Sequence, residues 1–184
     1  MEQTSVQKLA RVLRVMVIVV FACNLIALPI APSMVYWYAN QGELDYRVEI
    51  GNSVLSLWLH GFSRVWKNSG YTFMLALFLV VCGIGTAVIL WQGKRVLDTI
   101  LSGNPFSLDN AGNLKRAAIC CFLISGMAFV RLVWGMLDYL DLDPLFSYNV
   151  LFVPIFLMGG LLFLVMSALF RQAAELKAEN DLTI

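Results

Sequence analysis

The chain has 184 residues, of which 60% are hydrophobic and only 14% are charged, and its formal net charge is +1. A water-soluble domain of this length needs far more polar surface, so the composition indicates an integral membrane protein. The near-zero net charge argues against direct binding of nucleic acid, which requires a concentrated basic surface.

Four apolar segments are each long enough to cross the hydrocarbon core of a bilayer, which needs roughly 20 helical residues. Their apolar residues run continuously instead of alternating, which excludes a closed β-barrel. The segments cover about residues 15–38, 71–91, 117–137 and 145–170. The sequence therefore predicts an all-α integral membrane protein, a four-transmembrane-helix bundle that forms a single membrane domain over residues 1–184.

Lysine and arginine residues near the ends of these segments set the predicted orientation. Cations collect before the first segment and in the loop 92–116, whereas the short third loop carries three aspartates and no cation. This distribution predicts that the N and C termini and the loop 92–116 are cytoplasmic. The loop 40–70 then lies outside, and residues 171–184 form a cytoplasmic tail.

The first apolar segment contains Asn24, Pro29 and Pro32. Pro29 removes a backbone hydrogen bond to the carbonyl of Leu25, so it is expected to kink the outer half of the helix. The opened backbone can line a cavity, or neighbouring helices can satisfy it, and the sequence favours the second interpretation.

The outer loop 40–70 is predicted to be structured. Residues 45–50 alternate polar and apolar side chains, which favours a short strand. Residues 54–66 carry apolar side chains on one face and polar ones on the other, which predicts an amphipathic helix that caps the bundle at the membrane interface. A lid that meets an outside ligand is the alternative, with His60 on the polar face.

Small residues recur in the second and fourth segments, where they allow another helix to approach closely. The examples are Gly83, Gly85, Gly159 and Gly160. These positions can serve packing within one chain, or they can serve a homo-oligomer.

Arg131 is the one charge set deep in an apolar segment, and an ionisable residue in a span marks a functional site by default. Asp138 follows seven residues later on nearly the same face, about 10 Å along the helix. The sequence favours a structural role in which Arg131 snorkels outward or pairs with Asp138, and it leaves contact with a ligand or ion as the alternative. Asn24, Arg131 and Asp138 are the candidate intramembrane polar site.

No group of side chains forms a nucleophile–base pair, a catalytic constellation or a metal-binding pattern. All four cysteines fall within apolar segments, where they read as small packing residues. The aspartates of the third loop lack the glycine turn and terminal glutamate of a calcium loop. The sequence therefore predicts no enzyme activity, no cofactor and no metal site.

The polar stretch 103–110 joins the second and third segments, and we name it, together with Arg116, the corner. Gly103 is expected to end one helix, and Asn104-Pro105 to turn the chain. Ser107 is expected to cap the next helix.

Two further expectations concern the side chains of the corner. Phe106 should pack onto the start of the next helix, near Ala111 or Leu114. The polar residues of the first turns of that helix should face the cytosol; they are Asn110, Asn113, Lys115 and Arg116.

Two motifs resemble the YoaS-like bacterial four-helix membrane protein family, a domain of unknown function. The first comprises Gly103-Asn104-Pro105-Phe106-Ser107, Asn110-Ala111 and Leu114-Lys115-Arg116, and the second is the tail from Ala168 to Ile184. One departure is Ala173-Ala174, where a glycine is expected. The resemblance implies a multi-pass protein of the bacterial inner membrane, often encoded beside a small helix-turn-helix transcription regulator. It implies no catalytic residues.

The residues and the resemblance together predict a non-enzymatic regulatory or sensory membrane protein that engages such a regulator through the corner and the tail. The candidate contact residues are Asn104, Pro105, Phe106, Asn110, Arg116, Leu182 and Ile184. The alternative is a small oligomeric transporter or channel that uses Asn24, the proline kink and Arg131. The scarcity of polar groups in the middle of the segments counts against it.

Overall fold

The computed structural model describes residues 5–39, 54–140 and 142–181, and all regular structure within these ranges is helical. The α-helices are α1 (Ser5–Ala27), α2 (Ala31–Ala39), α3 (Val54–Asn68), α4 (Gly70–Leu101), α5 (Leu108–Tyr139) and α6 (Phe152–Asp181). Two short 3₁₀ helices, Asp143–Phe146 and Tyr148–Leu151, precede α6. The strand predicted over 45–50 lies outside the described residues.

Helices α1, α4, α5 and α6 are long and apolar enough to cross a membrane. Each also exposes many large apolar side chains, as expected of surfaces that contact lipid. For the described residues the prediction of an all-helical fold with four such helices is confirmed, and the chain has the make-up of a multi-pass membrane protein.

The first apolar segment forms two helices instead of one kinked helix. α1 ends at Ala27, and the N–H of Ile30 donates to the carbonyl of Ala27 at 3.1 Å across a three-residue turn. Pro29 has no backbone N–H and so cannot donate a helical hydrogen bond. Pro32 lies in the first turn of α2, where proline is well tolerated. The two prolines therefore end one helix and begin another.

The predicted helix of the outer loop is present as α3, which begins at Val54 as expected. The helices that contain the second and fourth apolar segments extend beyond them. α4 runs without interruption to Leu101, and α6 runs to Asp181.

The chain divides into two compact units. The first, residues 1–22, 85–123 and 155–184, contains the corner, and we call it the corner unit. The second, residues 23–84 and 124–154, contains α2 and α3, and we call it the α2–α3 unit.

In the α2–α3 unit, the core forms around Val35, Val65 and Ala76. The ring of Trp66 meets that of Phe73 edge to face, with centroids 4.7 Å apart. α2 and α3 approach closely at Gly61, where an added Cβ would lie 2.9 Å from Ser33 Oγ and 3.1 Å from the Ser33 backbone nitrogen.

In the corner unit, α5 turns a face of small side chains inward, and Ala111, Ala117 and Ala118 are buried. α6 meets it through a hydrogen bond from Ser167 Oγ to the carbonyl of Ala111, at 2.7 Å. At Gly160 an added Cβ would lie 2.8 Å from the Phe122 ring, so this glycine allows a close helix approach, as predicted.

Candidate functional site

α4 ends at the corner in a Schellman arrangement. The N–H of Gly103 donates to the carbonyl of Ile100 at 3.2 Å, and the N–H of Asn104 donates to that of Thr99 at 3.1 Å. Gly103 has φ 82°, a left-handed conformation that costs glycine little and other residues more. The prediction that Gly103 ends the helix is confirmed.

α5 begins with the predicted cap. Ser107 Oγ accepts a hydrogen bond from the N–H of Asn110 at 3.2 Å, which satisfies one of the free donors of the first turn. Asp109 lies in that turn, where a negative charge is favoured by the helix dipole. The prediction for Ser107 is therefore confirmed.

The side chain of Asn110 forms hydrogen bonds inside the corner. Its side chain is fully buried, and its Nδ2 donates to Thr99 Oγ1 at 2.6 Å and to the carbonyl of Pro105 at 2.7 Å. These bonds connect the last turns of α4, the turn and the first turn of α5. The Asn110 side chain is therefore part of the interior of the corner.

The polar face expected on the first turns of α5 is only partly present. Arg116 and Lys115 are exposed as predicted. The prediction is wrong for Asn110 and Asn113, which are buried. Asn110 is buried because α4 and the turn each provide an acceptor for its side chain. The pattern of residues along α5 alone does not indicate these acceptors.

The corner exposes two apolar side chains. Phe106 is 48% exposed and Leu108 is 61% exposed, although both lie in a polar stretch. The Phe106 ring lies 5.6 Å from the ring of Phe170 of α6, measured between centroids. Its packing near Ala111 or Leu114 stays a prediction. Asn104 is also exposed.

The C-terminal part of α6 reaches the corner. Lys177 Nζ donates to Asn104 Oδ1 at 2.9 Å. This contact is made by the helical part of the tail. Leu182 and Ile184 lie outside the described residues.

An open cleft of about 470 Å³ lies beside the corner, between the end of α4 and the start of α5. Its charged lining residues are Arg95, Asp98, Asp109 and Arg116. The carboxylate of Asp98 is neutralised from outside this group, because Arg14 Nε lies 2.7 Å from its Oδ1 and Lys94 Nζ lies 2.9 Å from its Oδ2. The cleft is therefore lined by mixed charges with an excess of cations.

Trp91 marks the end of the long apolar stretch of α4. Lys94 Nζ and the Arg95 guanidinium carbon lie 5.4 and 5.9 Å from the centre of its ring, and the Phe21 ring lies 5.8 Å from it. Tryptophan with lysine and arginine is typical of the level where a membrane helix leaves the hydrocarbon core.

The second candidate site surrounds Arg131, in the α2–α3 unit. Arg131 is only 7% exposed, and its guanidinium carbon lies 4.7 Å from the centre of the Phe78 ring. Within the described ranges Arg131 forms no ion pair, and Asp138 is exposed. The expectation that Arg131 snorkels outward or pairs with Asp138 is therefore wrong, because the guanidinium rests on a buried aromatic ring instead.

Arg131 lines a cavity of about 400 Å³. The other lining residues are Tyr71, Ala128, Leu132, Asp143, Pro144, Ser147 and Asn149. Neither Asn24 nor Asp138 belongs to this lining, so the cavity does not bring the three predicted polar residues together. The Oδ1 atom of Asn24 is buried and has no hydrogen-bond partner in the described part of the chain.

Comparison with known proteins gives one match. A family model described as "Protein of unknown function (DUF2975)" matches residues 53–184, a range that includes the corner and the lining of the Arg131 cavity. No curated protein and no solved structure matches the chain. The YoaS-like name stays a prediction.

Proposed function

The chain belongs to the DUF2975 family of proteins of unknown function, and from that premise we propose a non-enzymatic regulatory protein that docks a cytoplasmic protein at its corner. The partner class is a small helix-turn-helix transcription regulator, and the location is the bacterial inner membrane. The observation that carries this proposal is the apolar pair Phe106 and Leu108, held exposed on a turn with a fixed shape.

The fixed shape matters because a pre-ordered surface loses less conformational entropy when it binds. The Schellman cap at Gly103, the Ser107 cap and the internal bonds of Asn110 all act on this one short turn. Half-exposed aromatic and leucine side chains with cations beside them resemble the centre and rim of protein interfaces. These features support a docking surface.

The charge distribution supports a cytoplasmic corner. Arg14, Lys94, Arg95 and Arg116 all belong to the corner unit, and lysine and arginine mark the cytoplasmic side of membrane proteins. Such cations also suit the anionic lipids of the inner leaflet. In this orientation the N-terminal start of α1 and the end of α6 are cytoplasmic as well.

Site-specific photo-crosslinking in cells tests the docking proposal. A crosslinking amino acid at Asn104, beside the apolar pair, is expected to capture a small soluble protein that mass spectrometry identifies as a helix-turn-helix regulator. The substitutions Phe106→Ala and Leu108→Ala together should lower its yield about tenfold or more, because interface anchors of this kind cost more than 1 kcal/mol when truncated.

A matched control uses Leu162 of α6, which is 61% exposed like Leu108 but lies in a long apolar stretch. Leu162→Ala should leave the crosslink unchanged, and a crosslinker at Leu162 should not yield the same protein. Docking at the corner is ruled out if Asn104 captures no soluble protein, or if the double substitution has no more effect than Leu162→Ala.

A transporter or channel is the second candidate, and the cavity beside Arg131 favours it. Buried ionisable residues that line cavities in membrane helices recur along substrate pathways. This function predicts that purified protein in liposomes carries a measurable flux of a small ion, and that Arg131→Leu abolishes the flux while the protein stays folded. Absence of flux from wild-type protein over a panel of ions removes this candidate.

A further inference from the structure

Arg131 is a buried cation that forms no ion pair in the described part of the chain. It is 7% exposed, and none of the described salt bridges or hydrogen bonds includes it. Removing a charge from water without a partner is costly, so buried charges in proteins are paired or bind ions. The Phe78 ring compensates only part of this cost, because it offers a weak attraction to one face of the guanidinium.

The position of Arg131 is fixed by packing. Phe78 is fully buried, and its ring meets that of Phe152 edge to face at 5.7 Å. The N–H donors of an arginine lie in the plane of its guanidinium group. Those donors form a planar fork that matches the two oxygens of a carboxylate or phosphate.

The cavity that Arg131 lines has the make-up of a small-ligand site. Its volume of about 400 Å³ falls within the range of ligand pockets. Ala128, Leu132 and Pro144 give it apolar walls, and Asn149 supplies a neutral amide. Among the described residues, the one carboxylate in the lining is that of Asp143, which is exposed and forms no ion pair with Arg131.

We propose that this cavity binds a singly charged oxyanion, which Arg131 holds. One buried cation balances one negative charge, which a phosphodiester or a carboxylate carries. Two sources share this chemistry, namely the headgroup of a phospholipid and a small soluble anion. The proposal depends on neither docking at the corner nor transport, because a bound anion can also be a permanent part of the protein.

Thermal unfolding of the full chain in a neutral detergent tests the proposal, with the midpoint followed as each probe is titrated. The lipid probe is short-chain phosphatidylglycerol, and its control is the diacylglycerol with the same chains and no phosphate. The soluble probes are inorganic phosphate and acetate. We expect phosphatidylglycerol or a soluble anion to raise the midpoint of the wild-type protein, and the diacylglycerol to leave it unchanged.

Two substitutions link the effect to Arg131. Arg131→Gln should weaken binding about tenfold to a hundredfold, the range for a lost charged hydrogen bond, and Arg131→Lys should recover part of it. Asp143→Asn removes a repelling charge from an exposed 3₁₀ helix, where it should not disturb folding. It should tighten binding about twofold to fivefold, as for a partly exposed charge pair.

The outcomes separate the two sources and decide the proposal. Stabilisation by phosphatidylglycerol alone identifies a lipid headgroup, and stabilisation by phosphate or acetate identifies a soluble anion. The proposal fails if no anion stabilises the protein, if the diacylglycerol acts as strongly as phosphatidylglycerol, or if Arg131→Gln binds as wild type does. It also fails if Asp143→Asn weakens anion binding. Because Asp143→Asn should not disturb folding, this measurement decides the proposal even if Arg131→Gln does not fold.

Discussion

Replacement of Asn110 by alanine is expected to lower the free energy of unfolding by about 2 kcal/mol, because it removes two hydrogen bonds to half-buried residues and leaves a small void. Loss of the buried Oδ1, which has no hydrogen-bond partner in the described part of the chain, offsets part of this cost. The lost hydrogen bonds are those that Nδ2 donates to Thr99 Oγ1 and to the carbonyl of Pro105. Thr99 Oγ1 keeps its own hydrogen bond to the carbonyl of Val96, at 2.7 Å, so only its bond from Asn110 is lost. Chemical unfolding in detergent micelles measures the change.

Two further variants show whether hydrogen bonding causes the loss. Asn110→Asp keeps the volume of the side chain but removes both donors, so it should destabilise the protein at neutral pH at least as much as alanine does. Asn104→Ala, at an exposed position whose side chain bonds only to Lys177 among the described residues, should change stability by less than about 0.5 kcal/mol. Equal effects of Asn110→Ala and Asn104→Ala would contradict the role assigned to Asn110.

The same variant connects stability to the proposed function. If Asn110 fixes the turn that presents Phe106 and Leu108, its loss should weaken docking although its side chain is buried. The crosslinking yield at Asn104 should therefore fall in Asn110→Ala cells at equal protein level. An unchanged yield would show that docking does not need the fixed turn.

The caps of the corner could be predicted from the sequence because they follow local rules. A glycine after the last turn of a helix and a serine before the first turn act through backbone groups only a few residues away. The burial of Asn110 could not be predicted in this way, since its acceptors lie on Thr99 and Pro105 and become partners only when α4 and α5 meet. Sequence periodicity places Asn110 on a polar face and does not show what covers that face.

Arg131 illustrates the same limit. Its depth in an apolar segment is visible in the sequence, and so is the presence of Asp138 two turns later on the same helix. The group that meets the guanidinium is Phe78, on a different helix, and nothing in the spacing of residues indicates it. The charge pattern along one helix therefore correctly indicates that Arg131 is buried, but it wrongly suggests Asp138 as the neighbour of its guanidinium.

The break at Pro29 has a related cause. A proline within a helix predicts either a kink or an end, and the choice depends on whether the freed backbone groups find other partners. Here the chain ends α1 and restarts as α2, which then packs against α3. That packing requires a close approach, and the residue that permits it is Gly61.

Gly61→Leu is expected to lower the free energy of unfolding by about 3 kcal/mol, at the upper end of the cost of overpacking. A Cβ at this position would lie 3.1 Å from the backbone nitrogen of Ser33 and 3.2 Å from Pro32 Cβ. Pro32 is fully buried, and backbone cannot rotate away as a side-chain tip can, so α2 and α3 must separate. The gain in helix propensity on replacing glycine, up to about 1 kcal/mol, offsets only part of this cost.

Gly159→Leu is the matched control, because it makes the same substitution in a helix at a position where an added Cβ meets nothing within 4 Å. It should leave the free energy of unfolding unchanged or raise it slightly. Both variants can be compared by chemical unfolding in the same detergent. If Gly61→Leu and Gly159→Leu behave alike, then α2 and α3 do not pack through Gly61, and the core around Val35, Val65 and Ala76 would need a different arrangement of these two helices.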